Sequence, residues 1–99
     1  MTTSKQYCVY IMTNAYNTVF YTGVSNNLQR RVLEHRSGIG SAFAKRYNLT
    51  KLVYFECGND VRAAIFREKQ IKAGSRRKKI ELVKTMNPEW KDLYQEFFD

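Results

Sequence analysis

Five polar side chains in this sequence are of the types that together hydrolyse a phosphodiester bond. They are Tyr10, Tyr21, Arg31, His35 and Glu68. A carboxylate is a hard oxygen ligand for Mg²⁺, and an arginine can contact a phosphoryl group through two hydrogen bonds. A tyrosine whose pKa is lowered by positive surroundings can act as a general base, and a histidine can accept or relay the proton. If the five converge, they could perform one-metal phosphodiester hydrolysis.

Other enzyme chemistries lack their motifs in this sequence. There is no nucleophile elbow for Ser/His/Asp acyl transfer. Walker and dinucleotide-binding glycine patterns are absent too. No Cys/His pair has the spacing of a zinc site.

Helical phase separates two adjacent arginines in "NNLQRRVLEH". With about 100° per residue, Leu28 and Val32 define an apolar stripe at about 0° and 40°. Arg31 and His35 fall beside that stripe, at about 300° and 340°, one helical turn apart. The residues predicted to face water are Arg30 and Glu34. The pattern therefore assigns Arg31, and not its neighbour, to the side of the helix that meets the core.

Glu68 interrupts an apolar stripe in a second predicted helix. Counted from Val61, the stripe contains Ala64, Ile65 and Ile71, and Glu68 lies within it at about 340°. A carboxylate among apolar neighbours is costly unless it is paired or binds a metal. Two interpretations stay open: a metal ligand, or a buried Glu–Arg ion pair with a purely structural role.

Strands and helices alternate in a pattern that predicts an α+β fold. Aromatic and β-branched runs predict strands, and Asn, Ser, Asp and Gly mark the caps and breaks between helices. The predicted strands are 7–13, 19–25 and 49–57, and the predicted helices are 28–36, 61–73, 76–86 and a short one within "EWKDLYQEFF". The order is ββαβααα, with 38–46 as a mobile loop. A turn centred on Ala15 and Tyr16 would place Tyr10 opposite Tyr21.

Length, charge and cysteine content narrow the class of protein. The 99 residues fit a single domain, and no segment predicts a signal peptide or a membrane span. The net charge of +8 favours a polyanion such as DNA, RNA or an acidic membrane surface, although a solvated basic surface is the alternative. Cys8 and Cys57 are expected to be buried, reduced thiols in a cytoplasmic protein.

Basic residues concentrate late in the chain, in the run Arg76, Arg77, Lys78 and Lys79. On a helix this run faces several directions, so it is either a solvated surface or a patch that tracks phosphates. Phosphate contacts position a protein without reading sequence. The run therefore predicts nucleic-acid binding with low sequence specificity.

Several short motifs resemble those of the GIY-YIG nuclease superfamily. "CVY" at 8–10 and "YTG" at 21–23 resemble its two naming motifs, and "NNLQRRVLEH" resembles the helix that follows, with its arginine at Arg31 and its next functional position at His35. The later helix glutamate of the family matches Glu68 in "AIFREKQIK". More narrowly, "KLVYFE", "REKQIK" and "NPEW" resemble a small, single-domain, largely uncharacterised bacterial branch.

This resemblance implies a fold and a set of roles. The fold is a small three-stranded antiparallel sheet flanked by helices, covering 1–99 with a core at about 7–94. The implied activity would be metal-dependent DNA cleavage with Mg²⁺ or Mn²⁺. Tyr10 would be the general base or hold the attacking water, and Tyr21 would position the phosphate. Arg31 would stabilise charge, His35 would support proton transfer and Glu68 would bind the metal.

The sequence also departs from the family pattern. Cys8 replaces a glycine, Thr22 replaces an isoleucine, and Val24 stands where a lysine is frequent. A late asparagine of the family is matched by Asn87, which we assign to nucleic-acid contact. The family usually joins this module to a DNA-binding domain, which is missing here, so targeting would be weak or supplied by a partner protein or a homodimer.

The sequence thus predicts a DNA endonuclease of low sequence specificity, directed by DNA structure in repair or recombination, with RNA as a second possible substrate. The alternative is a non-catalytic nucleic-acid-binding module on the same fold. The missing lysine, the missing targeting domain and the positive charge motivate that alternative.

Overall fold

The computed structural model describes residues 6–98 and contains a three-stranded antiparallel sheet with helices on both faces, as predicted. The strands are β1 (Tyr7–Thr13), β2 (Phe20–Ser25) and β3 (Lys51–Gly58), and the helices are α1 (Leu28–Arg36), α2 (Ala42–Arg46), α3 (Val61–Ala73), α4 (Arg76–Met86) and α5 (Leu93–Phe98). The sheet order is β2-β1-β3, so β1 is central and β2 is an edge strand.

The side chains of β1 point alternately to the two faces of the sheet and contribute to a core on each face. Tyr10 and Met12 face a core that includes Leu28, Val32 and Tyr94, beneath α1, α2 and α5. The intervening residues of β1 face a second core beneath α3 and α4; its buried members are Val9, Ile11, Val53, Tyr54, Ala64, Ile71 and Val83. Successive side chains of a strand point to opposite faces, so one central strand can serve both cores.

Local capping fixes the helix boundaries. The side chains of Asn27, Asp60 and Ser75 each accept a hydrogen bond from a backbone N–H in the first turn of α1, α3 and α4. Such caps satisfy donors that a helix leaves free at its start. Because these signals lie within a few residues, the predicted bounds of the three helices agree with the structure.

The predicted order lacked one element. Residues 42–46 form the short helix α2 within the stretch that we predicted as a mobile loop. Ser41 caps it by accepting from the Ala44 N–H, and Ala44 and Leu49 are buried. The serine cap and the two buried apolar residues account for the helix. The Gly/Ser composition of the segment had instead indicated a loop.

The predicted register of the hairpin was also wrong, by two residues. Tyr10 lies opposite Gly23, and Tyr21 lies opposite Met12. The loop is centred one residue later than we predicted, and Asn14 holds it by accepting from the N–H groups of Thr18 and Val19. A shift of two residues preserves the side-chain face, so Tyr10 and Tyr21 are diagonal neighbours on one surface.

The two cysteines form a disulfide, and the expectation of reduced thiols was wrong. Cys8 and Cys57 lie opposite each other on β1 and β3, with their Cα atoms 4.1 Å apart. Cys8 is buried but Cys57 is exposed. The pairing depends on the register of strands far apart in sequence, so no local pattern reveals it. The disulfide also removes the argument for a cytoplasmic location that rested on reduced thiols.

Within residues 6–98, no helix has the length and the apolar character needed to cross a membrane.

Candidate active site

Tyr10 and His35 form the centre of the site. Tyr10 Oη and His35 Nε2 are 2.9 Å apart in a buried hydrogen bond between β1 and α1. Only 1% of Tyr10 and 2% of His35 are exposed. The Tyr21 ring lies against both, with centroids 6.2 Å from Tyr10 and 5.0 Å from His35. Three of the five predicted residues therefore meet in one cluster.

Two glycines make room for this cluster. A Cβ at Gly23 would lie 2.6 Å from Tyr10 Oη and 2.9 Å from Tyr21 Cε2. At Gly40 it would lie 2.6 Å from His35 Nδ1. Both distances are far below van der Waals contact, so the close approach of backbone and ring excludes any side chain. The glycine of "YTG" is explained by the tyrosine that packs on it.

We expect Gly23→Ala to displace both tyrosines and to lower the free energy of unfolding by about 1–3 kcal/mol, the usual range for overpacking. Urea denaturation of the wild type and the variant measures this directly. Gly58→Ala is the matched control, since a Cβ there meets no atom within 4 Å. Equal unfolding midpoints for the two variants would contradict the packing account.

Arg31 flanks the cluster, as its helical phase predicted. Its side chain is 31% exposed and donates to Glu34 Oε1 at 3.0 Å. The neighbouring Arg30 is 60% exposed and lies 3.7 Å from the same carboxylate. Sequence reasoning placed Glu34 in water and missed this pairing. The spacing of three residues from Arg31 was the signal that could have shown it.

The pKa of Tyr10 moves in the direction opposite to our expectation. Burial, with the neighbouring Tyr21, raises it to about 12, and the nearby Arg31 guanidinium only partly opposes the rise. Tyr10 is therefore protonated at neutral pH. We had predicted a pKa lowered by positive surroundings, but desolvation of the phenolate outweighs the arginine.

His35 is the neutral partner of this pair. Burial, followed by the positive charge of Arg31, lowers its pKa below the usual 6.5. Its Nδ1 is buried without a hydrogen-bond partner among residues 6–98, against Gly40. In the tautomer with its proton on Nδ1, Nε2 accepts from the Tyr10 hydroxyl.

Glu68 lies on α3, beneath the opposite face of the sheet. Counted from Val61, the buried residues Ala64 and Ile71 lie at about 300° and 280°, between Arg67 at about 240° and Glu68 at about 340°. Arg67 Nε donates to Glu56 on β3 at 2.9 Å. Glu68 is on the other flank of this helix, which packs mainly across β1 and β2. The sheet separates α3 from the core that contains Tyr10, so the structure does not bring Glu68 into the Tyr10–His35 cluster.

The Glu68 carboxylate is mostly buried and has a loose ion-pair contact. Its side chain is 18% exposed, and its ion-pair contact is Lys72 Nζ at 3.8 Å, where we had considered an arginine. Within residues 6–98, no three His, Cys, Asp or Glu side chains gather around one point. Mg²⁺ in proteins commonly takes one or two carboxylates, with waters and substrate phosphates as the other ligands.

Val61 and Ile65, which we predicted as members of the apolar stripe of α3, are each 42% exposed.

The basic residues predicted to contact nucleic acid differ in whether their side chains already bond within the fold. Arg76 donates to the Thr18 carbonyl at 2.7 Å and stacks on Phe20, and Lys79 donates to the Gly74 carbonyl at 2.6 Å. Both side chains are therefore engaged in contacts within the fold. Arg77 pairs with Glu81 at the surface, whereas Lys78 is exposed.

Asn87, which we predicted to contact nucleic acid, is buried and hydrogen-bonded within the fold. It is 4% exposed, and its Nδ2 donates to the carbonyls of Val53 and Lys91. Its Oδ1 accepts from the Lys91 N–H at 2.9 Å. With every polar atom used, its amide ties the end of α4 to β3.

Comparisons with known proteins agree with this architecture. The family model of the GIY-YIG catalytic domain matches residues 6–81. A UPF0213 protein of Syntrophus aciditrophicus is 40% identical over 87 residues, which cover 87% of this chain and 97% of that protein. Another, from Natronomonas pharaonis, is 40% identical over 75 residues, covering 76% and 87%. The solution NMR structure of the UPF0213 protein of Bacillus halodurans aligns with a TM-score of 0.57 at 26% identity, covering 95% of this chain and 99% of that one.

Proposed function

The chain belongs to the GIY-YIG catalytic domain family, and on that premise we propose that it is an endonuclease that hydrolyses DNA phosphodiester bonds with a divalent metal. The observation that carries the proposal is the buried Tyr10–His35 hydrogen bond with Arg31 beside it. A tyrosine, a neutral imidazole and a guanidinium in one cluster can move a proton and stabilise a phosphoryl group.

Proton transfer would pass through Tyr10 to His35. The Tyr10 phenol is protonated at neutral pH, so it cannot accept a proton unless it gives up its own. Its hydroxyl donates to His35 Nε2 while its oxygen takes a proton from the attacking water. His35 ends as the imidazolium, and the hydroxide forms the new bond to phosphorus. The departing oxygen leaves with the bond electrons and takes a proton from solvent water.

Arg31 and Tyr21 would hold the scissile phosphate. The Arg31 guanidinium is partly exposed and shares its charge with one carboxylate, so N–H donors remain for the phosphate oxygens. Tyr21 is half-buried over Tyr10 and His35, where its hydroxyl could position the phosphate above the proton path. Both contacts strengthen as negative charge builds on the phosphoryl oxygens.

Glu68 would hold Mg²⁺ or Mn²⁺, which when bound supplies Lewis-acid polarisation of the phosphate. Its carboxylate is half-buried and only weakly engaged by Lys72, so it is available to a cation. On this proposal, the flank of α3 that carries Glu68 would be turned toward the β2 edge. A phosphate held by Arg31 and Tyr21 at that edge would provide the further oxygen ligands.

Low sequence specificity follows from the nature of the basic surface. The net charge is +8, and exposed cations such as Lys78 can contact phosphates without reading bases. We propose substrates distinguished by shape, such as branched DNA in repair or recombination. A targeting partner or a homodimer would add the specificity that this surface lacks.

A non-catalytic nucleic-acid-binding module is the second candidate. The specific observation in its favour is the near-complete burial of Tyr10, whose raised pKa also suits a packing residue. Val24, where a lysine is frequent in the family, points the same way. Cleavage assays with site variants separate the two candidates.

We expect Glu68→Gln to lower Mg²⁺-dependent cleavage of plasmid and branched DNA by about 100-fold, because a neutral amide is a poor ligand for a hard cation. Isothermal titration with Mn²⁺ should show metal binding by the wild type and none by the variant. Glu81→Gln is the matched control, since that carboxylate is exposed and pairs with Arg77. Equal cleavage by wild type and Glu68→Gln would indicate a contaminating nuclease and overturn the proposal.

A further inference from the structure

The outer face of α3 presents an unusual combination of apolar and basic side chains. It consists of Val61, Arg62, Ile65, Phe66, Lys69 and Lys72. Phe66 is 70% exposed and points about 150° away from the buried Ala64 and Ile71. Among residues 6–98, no aromatic ring stacks on Phe66, whereas the exposed Phe97 packs against Phe55 at 5.4 Å.

The charges around Phe66 are all positive. Arg62 precedes it by four residues and Lys69 follows it by three, so both are its neighbours on the helix surface. The ion pairs that α3 forms within the described chain use Arg67 and Lys72, so the guanidinium of Arg62 and the ammonium of Lys69 are available. The two cations lie about 10 Å apart along the axis and bracket the ring. An acidic partner surface, or a polyanion, matches this pattern.

The outer face is continuous with the flank that carries Glu68. Going round the helix from Glu68, the side chains follow in the order Lys72, Ile65, Lys69, Arg62 and Phe66, from about 340° to about 140°. A helix is only about 10–12 Å across, so a strand held near Glu68 reaches Phe66 within a few nucleotides. The only carboxylate in α3 is Glu68 itself, so no negative charge of the helix interrupts this track.

We propose that the outer face of α3 binds an unpaired stretch of DNA, with a base stacked on Phe66 and the flanking phosphates on Arg62 and Lys69. Stacking on an exposed aromatic ring between cations is how single strands are held without regard to sequence. A base inside a duplex is stacked on both faces by its neighbours, so this contact selects unpaired DNA over duplex. The inference rests on the proposed nuclease function and specifies its substrate as DNA with an unpaired strand.

The test measures binding in EDTA, where no cleavage occurs. The probes are a single-stranded oligonucleotide with a central 2-aminopurine and a fully paired duplex of the same sequence. We expect the wild type to quench the 2-aminopurine fluorescence, and Phe66→Ala to bind the single strand about 5- to 100-fold more weakly. Phe66→Trp should retain the affinity and the quenching, and duplex binding by Phe66→Ala should change by less than about twofold.

Tyr16→Ala is the matched control, because Tyr16 is 82% exposed but lies on the hairpin loop and not on α3. Unchanged single-strand binding by Phe66→Ala, or an equal loss on the duplex, would overturn the inference. So would a wild-type dimer in sedimentation that Phe66→Ala dissolves, since that face would then be a protein interface. Because binding is measured without metal, a failure here leaves the nuclease proposal to be judged by Glu68→Gln.

Discussion

Arg31→Ala is expected to lower the rate of DNA cleavage by about 100- to 1,000-fold, the usual cost of removing one preorganised donor to a developing oxyanion. Arg31 is the partly buried guanidinium beside Tyr10, and its charge is already balanced on one side by Glu34. Its remaining donors would hold the phosphoryl oxygens more strongly as negative charge builds there. The loss should therefore fall on the single-turnover rate more than on DNA affinity.

Arg30→Ala is the matched control for this prediction. The two arginines are adjacent, carry the same charge and contact the same carboxylate, but Arg30 is 60% exposed and points away from the site. It should retain the wild-type rate within about threefold, since exposed charge pairs contribute little. Similar losses in the two variants would mean that the helix carries a general electrostatic surface and not a specific catalytic arginine.

Tyr10→Phe is expected to lower the cleavage rate by about 100- to 10,000-fold, the contribution of a positioned proton-transfer group. The change removes only the hydroxyl that joins the β1 strand to His35 Nε2 at 2.9 Å. The ring, which fills the space over Gly23, stays in place. Single-turnover cleavage measures the effect, and an unchanged far-UV spectrum and unfolding midpoint would show that the fold survives.

The pH dependence of the cleavage rate provides a second test of the Tyr10–His35 pair. Only neutral His35 can accept a proton, and burial lowers its pKa below 6.5. The wild-type rate should therefore rise with pH through a value below 6.5 and level off before pH 7. In Tyr10→Phe this rise should disappear, because the variant lacks the hydroxyl that would donate a proton to His35. A wild-type rate that keeps rising steadily to pH 9 would contradict the relay.

Most of the fold could be predicted because its signals are local. The bounds of α1, α3 and α4 depend on Asn27, Asp60 and Ser75, each next to the helix that it caps. Helical phase also depends only on neighbouring residues, so it distinguished Arg31 from Arg30. The disulfide between Cys8 and Cys57 depends on how distant strands align, and no window of the sequence contains that alignment.

The electrostatics of the site were the least predictable part. The sequence shows how many cations the chain contains but not how deeply the Tyr10 phenol is buried, and burial reverses the direction of its pKa shift. Residue types also did not reveal that Arg76 would hold the hairpin loop, or that Asn87 would be fully bonded inside the fold. A side chain's role in these cases depends on partners from remote parts of the chain.

The central claim, that the Tyr10 cluster is a hydrolytic site, is tested most directly by single-turnover cleavage of one branched DNA substrate with Mg²⁺. The assay compares the wild type, Tyr10→Phe, Arg31→Ala and Arg30→Ala, purified identically. We predict cleavage by the wild type and Arg30→Ala at similar rates, abolished by EDTA, and losses of at least about 100-fold in the other two. Cleavage at one rate by all four proteins, or by none of them with Mg²⁺ or Mn²⁺, would contradict the claim.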